Sequence, residues 1–331
     1  MINTLKATVK AARNWVKANY GAHTKTMDDP RLWVLMYHRI LPTTDPRFNL
    51  EEPGMIVTPE TFEMHILELK KHFDLISLSS WVAKQQANEP LPQKACAITF
   101  DDGWADNYEF ALPILKKHNI SATLFAVSDK IGTPFRFWPN IVSELIALKA
   151  PELNSQPLLQ PAYQLSLEAF SKEKNAQCID NLKLYSEAEI FAALNAINWQ
   201  SLLQNSTHRA LMNWQELKEC DESGFMKVES HTCTHQRLDK GLSTEALQVE
   251  IINSRQTLES KLDKSIELFC FPNGDYNQEA LNLVKQNYLA AVTTKNGINS
   301  SSNFNRHEIT RIAIHDDASN SRIKFLARLA G

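Results

Sequence analysis

The chain has 331 residues and a formal net charge of −3, with 43% hydrophobic and 22% charged residues, room for one large barrel-like domain or two ordinary ones. That charge gives no global electrostatic drive toward nucleic acid, and no stretch approaches the roughly 20 apolar residues of a spanning helix. Five cysteines, at 96, 178, 220, 233 and 270, are scattered and odd in number, which suits a reducing compartment better than a disulfide framework.

The first twenty residues predict an amphipathic helix. Ile2, Leu5, Val9, Ala12 and Val16 recur at three and four, Lys6, Lys10, Arg13 and Lys17 form an adjacent stripe, and no acid occurs before Asp28. The lysines and arginine interrupt the apolar core that a secretory signal needs. Residues 1–30 are therefore expected as a basic helical segment ahead of the main domain at 31–331, either packing on the body of the protein or making peripheral membrane contact through residues 1–20.

Residues 32–37 form an apolar run ending at His38-Arg39, a first buried strand with a histidine at its carboxyl end. Thr58 and Pro59 open a helix as N-cap and first helical residue, and Phe62, Ile66 and Leu69 line its apolar face. Phe73–Leu78 is predicted as a strand, 81–86 as a short helix, 95–100 as a strand, and the segment through Lys116-Lys117-His118 as a helix. Another strand is expected at 122–127. The β-α alternation predicts parallel strands with helices outside.

It pauses at about 130–211, where Pro151, Pro157 and Pro161 and a capping box at Ser186–Glu189 mark a helical insertion, either a lid or substrate wall or a purely structural excursion. Regular order resumes with a helix over 214–222 stopped by Gly224 and a strand at 225–228. Ser243 caps a helix through Lys261, and a strand at 266–271 breaks at Pro272-Asn273-Gly274-Asp275-Tyr276. A helix at about 278–286, a strand at 290–294, a last strand at 309–314 ending in His315-Asp316-Asp317, and a short basic helix complete the chain.

Two places carry chemistry. Asp101 and Asp102 sit where a buried strand stops, and neighbouring carboxylates repel unless a cation holds one and leaves the other free for proton transfer. His231 and His235, four apart, are predicted on one side of a helical turn, a recurrent metal-binding spacing. Three protein ligands leave a position open for water or substrate, and an aspartate from another strand end would be the third. Cys233, between the histidines, should point away. Position 232 is threonine rather than the glutamate of the H-E-x-x-H zinc helix, so the general base must come from elsewhere, with Asp101 or Asp102 the source.

Thr99-Phe100-Asp101-Asp102-Gly103, Ser230-His231-Thr232-x-Thr234-His235 and Phe271-Pro272-Asn273-Gly274-Asp275-Tyr276, in this order and each after a strand, resemble the polysaccharide deacetylases of carbohydrate esterase family 4. The resemblance covers roughly residues 32–128 and 212–315. It implies an α/β fold, an irregular (β/α)7 TIM-like barrel with its site at the carboxyl ends of the strands. It further implies that Asp102, His231 and His235 hold a divalent metal, commonly zinc, and that Asp101 is the general base. The backbone N–H of Asn273 would donate to the oxyanion, and Asn273 and Trp104 are the expected substrate contacts. Leu35-Met36-Tyr37-His38-Arg39 resembles the permuted branch that deacetylates poly-N-acetylglucosamine, which makes His38 the general acid, with His315 the competing choice. Two positions depart from the family pattern: Cys270 stands where many members carry an arginine that steadies the catalytic aspartate, and Asn273 where they often carry tyrosine.

The expected activity is removal of N-acetyl groups from N-acetylhexosamines of a polysaccharide or lipid-linked precursor. An O-acetyl esterase would use the same parts, and a non-catalytic glycan-binding barrel would have no reason to keep both aspartates and both histidines. Lack of a secretory signal and the basic helix fit a cytoplasmic or inner-face role in polysaccharide assembly.

Overall fold

A computed structural model of the chain describes residues 2–52, 54–205, 209–239 and 241–331, with side chains from Thr8 onward. Ile2, Leu5 and Lys6 of the predicted N-terminal stripes thus lie outside the described side chains. The chain divides into two compact units, residues 1–40, 57–133 and 211–331 forming one and residues 41–56 with 134–210 the other.

The first unit is built on a nine-stranded sheet whose principal strands are β1 (Arg31–Tyr37), β2 (Lys94–Phe100), β3 (Ala122–Ala126), β4 (Met226–Ser230), β5 (Leu268–Cys270), β6 (Ala290–Val292) and β7 (Ile312–Ala313), with the short strands Asp74–Leu75 and Asn299–Ser300 pairing with β2 and β1. From β1 to β6 each pairs in parallel with the next. Continuous apolar runs such as Leu32–Tyr37 are buried throughout, as strands covered on both faces must be. β7 returns to β1 through Leu35↔Ile312 and Met36↔Ala313, and a parallel bridge, Val292↔Ile309, joins it to β6. The result is the irregular (β/α)7 barrel.

Its irregularity has a local cause. The strand expected over 309–314 shrinks to Ile312–Ala313 because the Thr310 N–H donates to Asn299 Oδ1 (3.0 Å) and the Arg311 N–H to the Lys295 carbonyl (2.9 Å) instead of to a neighbouring strand. Similarly, the strand predicted at 73–78 is only Asp74–Leu75, since Ser77 caps a helix that already starts at Leu78. The strand expected at 266–271 is limited to Leu268–Cys270. Thr58 caps the helix Pro59–His72 as expected.

Helix α1 (Ile2–Tyr20) packs against the C-terminal helix Arg322–Arg328. Gly21 permits this approach, because a Cβ there would fall 2.5 Å from the Ala330 Cβ. Among the described residues no helix is long and apolar enough to cross a membrane.

The second unit is helical, with Ile141, Val142, Leu145, Leu153, Ile179 and Leu194 in its buried core. The Ser186/Glu189 capping box forms in full. Sequence placed this excursion at about 130–211; residues 41–56 also belong to the unit, tied in by Asn140 Nδ2 donating to Glu51 Oε2 (2.9 Å) and by the Lys183–Glu52 ion pair.

Candidate metal and catalytic centre

At the end of β2 the Asp101 N–H still donates to the Tyr37 carbonyl of β1, at 3.0 Å. The chain then turns left-handed, with φ of 75° at Asp102 and 86° at Gly103. For a non-glycine residue this costs on the order of 1 kcal/mol or more, and such strain concentrates where geometry serves function. Here it sends two adjacent carboxylates to different partners.

Asp102 faces the histidines. Its Oδ1 lies 3.4 Å from His231 Nε2 and 3.4 Å from His235 Nε2. These separations are long for N–H···O hydrogen bonds, whereas ligand atoms on a tetrahedral ion with bonds of about 2.0–2.1 Å stand roughly 3.3–3.4 Å apart. The three donor atoms lie within 4.8 Å of one another. His231 Nδ1 donates to the Cys270 carbonyl (2.8 Å), which leaves Nε2 facing Asp102; burial opposes charge on this ring, but Cys270 and the two aspartates outweigh it and hold its pKa well above the ordinary value. Burial lowers the His235 pKa to about 4, so its ring is neutral near pH 7 and able to ligate. For Asp102, burial favours the neutral acid, but the electrostatic pull of the facing His231 and His235 imidazoles and of nearby His38 prevails and holds it well below the usual carboxylate range. The residues present fit a divalent ion.

The histidines do not share a helical turn, which corrects the expectation from their spacing. His231 follows directly on β4, and left-handed residues at Thr232 and His235, both with φ of 67°, double the chain back so that the rings meet. Thr232 Oγ1 accepts the His235 N–H (3.0 Å), and Glu250 Oε2 accepts the N–H groups of Cys233 and Thr234 at 3.0 and 2.9 Å. Glu250 lies in a widened turn, Val249–Asn253, inside the helix that Ser243 caps, one of the π-type turns often found at functional sites. Cys233 points away as expected, its thiol donating to the Val249 carbonyl.

Trp104, expected at the substrate, is buried, and its indole donates to Asp102 Oδ2 at 2.8 Å. It thus fixes the Asp102 oxygen that does not face the histidines. The Arg39 guanidinium sits 4.1 Å from the centre of its ring and is itself held by Asp106, whose Oδ2 accepts from Nε (3.0 Å) and Nη2 (2.8 Å).

Asp101 meets Arg311. Both Nη atoms donate to the carboxylate at 2.7 Å, and Nη2 also reaches Cys270 Sγ at 3.2 Å. Burial alone would raise the Asp101 pKa; the charge and hydrogen bonds of Arg311 overcome this and hold it below the usual range. In place of an arginine at position 270, Arg311, just ahead of β7, reaches the space beside the cysteine. Sequence reasoning missed Arg311, although a charge inside the apolar run 309–314 was a usable signal. Glu250 had no such signal.

His38, immediately after β1, lies within electrostatic reach of Asp101, Asp102, His235 and His315, and its carbonyl accepts from Asn107 Nδ2 at 2.8 Å. His315 follows β7, with Nδ1 3.5 Å from Asp317 Oδ2, and burial lowers its pKa. Asn273 is exposed at the turn after β5, left-handed at φ 53°. The following Gly274 is obligatory, because a Cβ there would lie 2.1 Å from Thr294 Oγ1.

These features define the class: a parallel α/β barrel that gathers an aspartate pair and a histidine pair at the carboxyl ends of its strands. The polysaccharide deacetylase family profile matches residues 88–150 and 170–292, more than half of the chain, and the chain belongs to that family. YxkH of Bacillus subtilis (strain 168), provisionally named a polysaccharide deacetylase, is 23% identical over 279 residues, 84% of this chain and 69% of YxkH. The Streptococcus pyogenes deacetylase PplD, solved in complex with acetate, superposes with a TM-score of 0.60 at 20% identity over 92% of this chain and 100% of PplD. IcaB from Ammonifex degensii gives a TM-score of 0.56 at 17% identity, covering 90% of this chain and 97% of IcaB. At such identities the structural likeness establishes the fold. Family membership places the chain among the hydrolases that deacetylate glycans.

Proposed function

We propose that the protein is a metal-dependent N-deacetylase acting on N-acetylhexosamine residues of a glycan. The observation that carries the reading is the division of labour between neighbouring carboxylates, Asp102 facing two imidazole Nε2 atoms and Asp101 held ionised by Arg311. A divalent ion held by Asp102, His231 and His235, zinc being the leading choice, would polarise the acetyl carbonyl and acidify the attacking water.

Asp101 takes the proton of that water as general base, and Arg311 keeps it anionic before the substrate arrives. The Asn273 N–H donates to the oxyanion of the tetrahedral intermediate. His38 gives a proton to the departing amine, and acetate and free amine are released. Amine expulsion requires that proton more than alkoxide expulsion does, so histidines at the strand ends favour amide over ester hydrolysis.

The test is acetate release by zinc-loaded protein from chitooligosaccharides against acetylated xylan, with chelator-treated protein as control. Faster release from chitooligosaccharides, lost on chelation and restored by zinc, is expected. Preference for xylan would make the protein an O-acetyl esterase, and no release from either would leave a glycan-binding barrel.

A further inference from the structure

The face that α1 turns away from the barrel unit is apolar. Ala18 is buried toward the body, while Val9, Trp15, Val16 and Tyr20 are 60%, 51%, 52% and 64% exposed. Their spacing, with the exposed Ala12, puts them on one arc of the helix. Large apolar side chains this open, four of them on a helix whose opposite side is packed around Asn14 and Ala18, form a patch rather than scattered exposure.

The charges beside this arc have one sign. Lys10, Arg13 and Lys17, spaced three and four apart, run along its edge, and no acid occurs anywhere before Asp28. The whole chain is slightly negative at −3, so the positive charge is local to this element. Trp15 and Tyr20 make an edge-on ring contact at 6.2 Å, placing two amphipathic aromatics at the boundary of the patch. Such side chains suit the level of lipid headgroups, with the ring in the acyl boundary and the polar atom in water. The end of the helix is anchored: the Ala22 N–H donates to the Ala330 carbonyl at 3.1 Å, and Lys17 Nζ to the Gly331 carbonyl at 3.3 Å. The patch is therefore presented on a braced element.

We propose that α1 is a lipid-docking surface, lying in the headgroup region of an anionic bilayer with Val9, Trp15, Val16 and Tyr20 inserted and Lys10 and Arg13 against the anionic headgroups. This goes beyond the deacetylase reading and does not depend on it.

The experiment is flotation of the full chain with vesicles of phosphatidylcholine plus phosphatidylglycerol, and with phosphatidylcholine alone. The variants are V9D/V16D and K10E/R13E, all at exposed positions, with thermal melting as a check on folding and acetate release from a soluble oligosaccharide as a check on the barrel. The wild-type chain is expected to float with the anionic vesicles and much less with the neutral ones. Each double variant should lose at least about 10-fold in partitioning while melting and turnover stay unchanged. Failure of the wild-type chain to float overturns the proposal, as does undiminished flotation of V9D/V16D. If the chain is instead a dimer that V9D/V16D dissociates, and no vesicle binding is seen, the face belongs to a second copy and the lipid assignment falls.

Discussion

Arg311 and Asp101 are joined by two parallel hydrogen bonds of 2.7 Å, both residues buried, across 210 positions of sequence. The fork fits a carboxylate in a way that a lysine ammonium does not. Arg311→Lys should keep the charge and lose the fork, so that Asp101 titrates higher and its orientation loosens. We expect kcat to fall about 10-fold or more and the acid limb of the kcat/KM profile to move to higher pH. Arg311→Met would leave the carboxylate buried without its cation, at a stability cost of about 3–5 kcal/mol. An unmoved acid limb and full kcat in the lysine variant would show that Asp101 does not depend on this arginine.

Trp104 offers a way to separate metal binding from proton transfer. Its indole N–H bonds the Asp102 oxygen that does not face the histidines, so Trp104→Phe keeps the ring under Arg39 and removes only the donor. Affinity for zinc, measured by competition with a chromophoric chelator, should drop about 10–100-fold, while turnover at saturating zinc falls less. His231→Ala should abolish stoichiometric binding altogether. Unchanged affinity in the phenylalanine variant would mean that the Asp102 turn holds its shape without the tryptophan.

Much of this was legible in sequence because strand and helix periodicity is local. The run ending at Phe100, the caps at Thr58, Ser186 and Ser243, and the order of the three motifs each rest on neighbouring residues. What was not legible depends on backbone torsion or distant partners. Spacing of four between His231 and His235 suggests a helix, and only the left-handed torsions at Thr232 and His235 show that a loop does the same work. The partners of Asp101 and Asp102 come from 311, 231 and 235. No periodicity reports a side chain that arrives from another strand. Nor does sequence report that the Trp104 indole is buried and donates to Asp102 Oδ2.

His65 gives the fold a predictable response to acid. It is buried, accepts from the Tyr37 hydroxyl at Nδ1 (3.1 Å), donates from Nε2 to the Ser319 carbonyl (2.8 Å), and stacks on Phe325. Burial lowers its pKa to about 4. In the unfolded chain the ring protonates near its ordinary value of about 6.5, so between these values the unfolded state binds more protons and stability falls as pH falls. The slope is about 1.4 kcal/mol per pH unit in the middle of that window and vanishes above about pH 7. His65→Gln, which can keep both hydrogen bonds, should flatten the melting temperature profile between about pH 4 and 6.5. Parallel wild-type and variant profiles would assign the acid response to other groups, such as His23 and His72, whose pKa values burial also lowers.

The general acid is decided between His38 and His315. Both stand at strand ends, but their surroundings differ. His315 lies 3.5 Å from Asp317, a partner that could orient it, yet burial lowers its pKa and works against its carrying a proton at neutral pH. His38 lies within electrostatic reach of both aspartates and of His235, with its backbone pinned by Asn107. Because an amine leaves poorly without a proton and an activated alcohol leaves readily, loss of the acid must show as selectivity. His38→Ala should keep its metal, lose roughly 10²-fold or more on N-acetylated oligosaccharide, and retain far more activity on an activated acetate ester. His315→Ala should affect mainly stability, through the turn it opens at Asp316. An amide-selective loss in His315→Ala, with His38→Ala still active, would move the acid to the last strand and make Asp317 its orienting partner.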